Sequence, residues 1–194
     1  MMLSEKEKKI LLLLCKDFTS KYNARTISGK VNMTPRGALK ALKNLEKQNF
    51  VAGKPFGKAI HYTISYTYFT KKTIELLLLE EAEFQYKRWL EEFKDFKEAE
   101  IIVLFGSVAR KQREYQDVDL LLVVQKRNYP ALRKRIEEKN SILLKKIHPV
   151  FQTITDLKNN IRKKDEVVLH TVQEGISLKG QYDLIEVIAD VTGA

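Results

Sequence analysis

Two short apolar runs, Ile101–Phe105 and Val118–Val124, are separated by a polar segment that opens on Gly106-Ser107 and closes on Asp117-Val118-Asp119. Runs of this length with no polar alternation suit strands that are buried on both faces, which requires a sheet covered by helices. Side chains alternate along a strand, so Asp117 and Asp119 project from the same face. Two carboxylates placed together make poor core residues, because burying either one unpaired carries a large desolvation cost. As oxygen donors they suit a hard cation such as Mg²⁺, which prefers carboxylates together with substrate phosphates.

The pattern downstream continues strand and helix in alternation. A helix is expected to begin over Ser107–Gln112 and a basic amphipathic one over Tyr129–Asn140. A strand lies within Lys146–Thr153, Thr155 or Asp156 caps a further helix, and Ile176–Leu178 forms a last short strand. Residues 99–194 are therefore expected to form a small α/β or α+β domain.

Charge divides the chain sharply. Of the formal +10, residues 1–70 carry 13 Lys/Arg against 4 Asp/Glu, whereas residues 71–194 carry 22 against 21. A basic module joined to an electrically neutral one points to nucleic-acid binding by the first. In that basic third, Ser4 and Glu7 form a capping-box pattern ahead of Ile10, Leu11, Leu14 and Phe18 at helical spacing. A short helix follows around Thr26–Val31, and Thr34-Pro35 starts a third with Ala38, Leu42 and Leu45 as its core stripe. Phe50–Ala52 and Ala59–Ile64 read as strands joined by GKPFGK.

Residues 70–98 form a long amphipathic stretch with Ile74, Leu77, Leu78, Phe84, Trp89, Phe93 and Phe96 as apolar contacts. Without Pro or Gly it is expected to be a stiff helical connector that packs on both neighbours or on a second subunit. The single cysteine, Cys15, lies in an apolar run and excludes an internal disulfide framework, which fits a reducing compartment. The runs Ile10–Leu14 and Leu76–Leu79 are too short to span a bilayer. A soluble cytoplasmic protein with no membrane partner is expected.

Helix, helix, Thr-Pro-started helix and basic hairpin in this order resemble a winged helix-turn-helix of the MarR-like type over residues 4–66. The resemblance implies that the helix from Thr34 lies in the major groove of double-stranded DNA, presenting Thr34, Arg36, Lys40 and Lys43. Lys54 and Lys58 on the wing would reach phosphates. The alternative is a solvated basic face on a helical dimerisation domain.

The apolar strand, Gly-Ser, short helix and Asp-x-Asp on the next strand resemble the polymerase-β-like nucleotidyltransferase superfamily, in particular its minimal branch. Gly106, Ser107, Ala109, Arg110, Asp117 and Asp119 fall on that motif, with nine residues between Ser107 and Asp117. The resemblance implies that Gly106 and Ser107 bind the triphosphate of an NTP. Gly106 would let the backbone approach a phosphate, and Ser107 would sit at a helix N-terminus. Asp117 and Asp119 would be both catalytic and metal-binding, holding one or two Mg²⁺ ions. Arg110 serves either triphosphate oxygens or a surface salt bridge. The pattern is broken in three places. Lys111 replaces a usual glycine, Gln116 replaces a small polar residue, and the strand KIHPVFQT lacks the third carboxylate usual in active members. His148 on that strand is a metal ligand, a base or simply a half-exposed strand histidine.

The expected architecture is α+β, with a winged helix-turn-helix over 1–69, a helical connector over 70–98 and a nucleotidyltransferase-like domain over 99–194. Two functions fit it. One is Mg²⁺-dependent transfer of a nucleoside monophosphate from NTP to a protein or small-molecule acceptor by a DNA-bound, antitoxin-like autoregulator. Its partner would be a HEPN-type toxin, and the protein a homodimer. The other is a transcriptional regulator whose impaired transferase domain only binds nucleotide or dimerises.

Overall fold

A computed structural model describes residues 3–112 and 114–193. By internal contacts the chain forms two units, Met1–Leu77 with Ile188–Ala194, and Leu78–Val187. The division falls inside the long helix α4 (Tyr68–Phe93) rather than at its ends.

The first unit contains α1 (Glu5–Lys16), α2 (Ala24–Lys30), α3 (Pro35–Lys47) and the antiparallel hairpin β1 (Val51–Phe56) and β2 (Ala59–Ile64). The Ser4–Glu7 capping box forms as expected. Glu7 also accepts a hydrogen bond from Asn44 Nδ2, tying α1 to α3 while only 7% exposed. α1 stops at Lys16, so Phe18 lies beyond it. α2 begins two residues earlier than expected because Asn23, not a later residue, caps it. Thr34 caps α3 with Pro35 in the first turn, and Ala38, Leu42 and Leu45 are buried. β1 runs to Phe56, leaving only Gly57 and Lys58 as the turn, with Gly57 in the left-handed region at φ 59. Lys54 consequently stands on a strand rather than in a loop.

In the second unit a four-stranded mixed sheet has the order β5-β4-β3-β6, built from β3 (Ala99–Phe105), β4 (Asp117–Val124), β5 (Lys146–Gln152) and β6 (Ile176–Lys179). β3 pairs antiparallel with β4 and β6, while β4 pairs parallel with β5. Alternation sends Ile102, Leu104, Leu120 and Leu122 into one core cluster with Trp89, Phe93 and Phe96, together with Leu132 and Ile136 of α6 (Tyr129–Ile142). α7 (Ile154–Arg162) packs against β4 and β5, and α8 (Glu166–Glu174) against β3.

Four expectations change here. The connector is not uniformly helical, because Tyr86 leaves helical geometry (φ −135, ψ 25) and kinks α4. Its hydroxyl donates to the carbonyl of Ala109 in a buried contact, so tertiary anchoring accompanies a bend that no Pro or Gly signals. Phe84, expected as an apolar contact, is 82% exposed. Thr153, not Thr155 or Asp156, caps α7, and Asp156 is the reciprocal member of that capping box. Both α8 and α9 (Gln181–Thr192) are additional to the expected elements.

Candidate functional site

The site forms where three strands share one end of the sheet. Antiparallel pairing sets the last residue of β3, Phe105, opposite Asp119 near the start of β4. Parallel pairing sets Asp119 opposite His148 near the start of β5, and Asp117 opposite Lys146. The topology therefore delivers the Gly-Ser turn, both aspartates and a histidine to one place, although His148 lies 29 positions beyond Asp119.

Asp117, Asp119 and His148 each offer a ligand atom, and these atoms all lie within 4.8 Å of one another. His148 Nδ1 stands 3.2 Å from Asp119 Oδ1, with the imidazole 67% exposed and the carboxylate 19% exposed. His148 is thus more open than a half-exposed strand residue. Proline is tolerated beside it because β5 is an edge strand of the sheet. Lys146 is turned away from the aspartates in function. Its ammonium donates to the carbonyls of Asn140 and Leu143 at the end of α6, where carbonyls lack helical partners.

The helix after β3, α5 (Gly106–Ala109), is a single turn rather than the longer helix expected over Ser107–Gln112. It ends because Lys111 adopts φ 55, a left-handed conformation. This is the position where the nucleotidyltransferase pattern usually has glycine, and lysine meets the same backbone demand with some strain. Lys111 Nζ is held by Gln85 Oε1 at 2.8 Å and lies over the Tyr86 ring. With only four residues, α5 carries little macrodipole. Any attraction for an anion comes from the free N–H groups of its first turn.

Gly106 has a role not visible in its sequence neighbourhood. It sits at φ 70, and a Cβ built there would overlap Asp119 Oδ2 and lie 3.0 Å from Asp119 Cγ. Absence of a side chain at Gly106 is therefore what leaves room for the Asp119 carboxylate. Ser107 follows in the first turn of α5, half-buried. Arg110 points toward α8, where its Nη1 is 3.9 Å from Glu174 Oε2. Both partners are largely exposed, so the pair contributes little. A concavity of ≈ 390 Å³ adjoins this turn, with Gly106, Arg110, His170 and Glu174 among its lining residues.

The predicted nucleic-acid residues gather on the first unit. Arg36, Lys40 and Lys43 are exposed on α3 at spacings of four and three, which places them on one side of the helix. Thr34 is exposed and its hydroxyl oxygen accepts from Gly37 N at 3.1 Å, so capping already occupies it. Lys54 and Lys58 are exposed on the hairpin.

Sequence reasoning missed the alignment of His148 with Asp119, the Gly106–Asp119 contact and the Tyr86–Ala109 anchor. None of these leaves a local signature. α8 was legible, since Asp165 precedes it as an N-cap and Val168, Thr171 and Val172 follow at helical spacing.

Residues 86–176 match the family model described as nucleotidyltransferase domain. The matched residues run from the α4 kink to the first residue of β6 and contain the whole aspartate–histidine cluster. No curated protein matches the chain. Three structures of Lactococcus lactis ZitR variants align at 13% identity over 73% of this chain and 75% of theirs, with a TM-score of 0.35, too low to bear on fold or function. No helix among the described residues is long and apolar enough to cross a membrane.

Proposed function

We propose that the protein transfers a nucleoside monophosphate from an NTP to a protein or small-molecule acceptor, using Asp117 and Asp119, while its N-terminal unit binds double-stranded DNA. The observation that carries the reading is the convergence of both carboxylates beside the Gly106 turn, inside a stretch that matches the nucleotidyltransferase family.

The donor set fits a divalent cation: two carboxylates and an imidazole, whose ligand atoms all lie within 4.8 Å of one another. One or two such ions, Mg²⁺ in the simplest case, would neutralise phosphate charge and stabilise the entering and leaving oxygens of an in-line displacement. Asp117 and Asp119 would hold the cation from two positions of one strand face. Gly106 keeps Asp119 in place and, with Ser107, offers backbone and hydroxyl donors to the triphosphate. Arg110 is released from its long exposed pair with Glu174 at small cost and turns toward phosphate oxygens. In the reaction an acceptor oxygen bonds to the α-phosphorus and the bond to the bridging oxygen breaks. Pyrophosphate leaves with that electron pair, and the acceptor's proton passes to solvent or a nearby base.

The DNA part rests on the basic stripe of Arg36, Lys40 and Lys43 on α3, supported by Lys54 and Lys58 on the hairpin. A winged helix-turn-helix arrangement would set that helix in the major groove, with Thr34 at its leading end. The same proposal includes a cytoplasmic, homodimeric, antitoxin-like autoregulator whose acceptor is a HEPN-type toxin. A second reading has a specific observation in its favour: β5 contains no carboxylate. On that reading the domain binds nucleotide or dimerises without turnover.

Incubation with a divalent cation and each of the four α-³²P-labelled NTPs, with and without a HEPN-type partner, separates the two. Transfer of label that Asp117→Asn/Asp119→Asn abolishes supports the enzyme. Nucleotide binding by calorimetry without transfer supports the regulator, and absence of both would refute the site.

A further inference from the structure

From the register of β4 and β5, we infer that His148 is the third metal ligand of the site, and that it shifts the site's preference from Mg²⁺ toward first-row transition dications such as Mn²⁺ and Co²⁺. The inference rests on the nucleotidyltransferase reading and names the metal class of that same site.

Three observations converge on it. His148 is the direct partner of Asp119 across the parallel ladder, so it occupies the neighbouring-strand position from which a third donor reaches the two aspartates. Its Nδ1 already stands 3.2 Å from Asp119 Oδ1, and one atom from each of the three residues falls within 4.8 Å. Donors about 2.1 Å from a shared ion stand at most about 4.2 Å apart. The present spread, within 4.8 Å, exceeds that limit by no more than about 0.6 Å.

Chemistry supplies the selectivity. A set of carboxylate oxygens alone favours Mg²⁺, Ca²⁺ or Mn²⁺, whereas an imidazole nitrogen raises affinity for Mn²⁺, Co²⁺ and Zn²⁺ relative to Mg²⁺. A structural explanation for His148 is weak by comparison. The side chain is 67% exposed, so it fills no core, and an exposed pair with a carboxylate adds little stability. Lys146, the other residue of β5 facing the aspartates, has its ammonium committed to α6 carbonyls and does not compete with a cation.

The test uses the full-length protein and reads metal binding, not turnover. Bound Mn²⁺ is examined by electron spin-echo envelope modulation for coupling to an imidazole ¹⁴N, and Mn²⁺ and Mg²⁺ affinities are measured by calorimetry. The wild type is expected to show ¹⁴N coupling that is absent from both His148→Asp and His148→Ala. His148→Asp, which restores three carboxylates, should lower the Mn²⁺ over Mg²⁺ preference by about tenfold or more. Because the residue is exposed, both variants should fold, which circular dichroism verifies. Mn²⁺ binding that depends on Asp117 and Asp119 but shows no ¹⁴N coupling would overturn this inference and leave the nucleotidyltransferase reading standing. No metal binding by the wild type, with or without NTP, would overturn both.

Discussion

Gly106→Ala separates backbone strain from site geometry. Alanine at φ 70 must occupy the left-handed region, at a cost of about 1–2 kcal/mol. In addition, the new Cβ would overlap Asp119 Oδ2 and lie 3.0 Å from Cγ, inside the roughly 3.5–4.0 Å of ordinary carbon contact. The clashing group is the end of a side chain, so Asp119 relieves the overlap by rotating away. Most of that second cost falls on function rather than stability. A carboxylate displaced by about 1 Å loses its alignment with the other ligands, and misplacement on this scale costs up to about 10²-fold in rate.

Gly57→Ala is the matched control, since Gly57 has φ 59 and nothing within 4 Å of a built Cβ. Thermal unfolding should place both variants a similar few degrees below the wild type, about 2–4 °C per kcal/mol for a chain of this size. Divalent-cation affinity and label transfer should fall only in Gly106→Ala. Wild-type cation affinity in Gly106→Ala would refute the claim that this glycine exists to seat Asp119.

Two further outcomes are expected. Burial pushes the Glu7 carboxyl up, but hydrogen bonds from Asn44 and Ser4 outweigh it and hold the pKa below its usual value of 4.5. A depressed folded pKa contributes stability above the unfolded value that is lost as pH falls through the folded one. Denaturant unfolding should therefore show wild type losing its advantage over Glu7→Gln as pH drops below about 4.5, and a constant difference from about pH 6 to 3 would contradict this. For the proposed DNA interface, Arg36→Ala and Lys40→Ala should each weaken binding. Loss of one phosphate contact should flatten the slope of log affinity against log salt by about 0.9. Affinity unchanged by either variant would remove α3 from the interface.

Much of the fold is written in local pattern. Ser4 with Glu7 and Thr34 with Pro35 mark helix starts because capping satisfies backbone N–H groups within three residues. The apolar runs of β3 and β4 declare central strands because both their faces are covered. The kink at Tyr86 escaped detection for the opposite reason. It is accompanied by a hydroxyl that reaches Ala109, a contact no local pattern encodes. Likewise the turn at Lys111 looks like a departure from pattern in sequence, yet the backbone there keeps the conformation a glycine would favour.

The candidate site divides the same way. Asp117 and Asp119 are paired by the two-residue period of a single strand, so sequence alone puts them on one face. Which group joins them depends on strand order, direction and register, set by the packing of whole elements. Parallel pairing of β5 with β4 brings His148 level with Asp119, and antiparallel pairing of β3 brings Gly106 up against its carboxylate. A period of two fixes neighbours within a strand; neighbours across strands are fixed only when the sheet closes its hydrogen bonds.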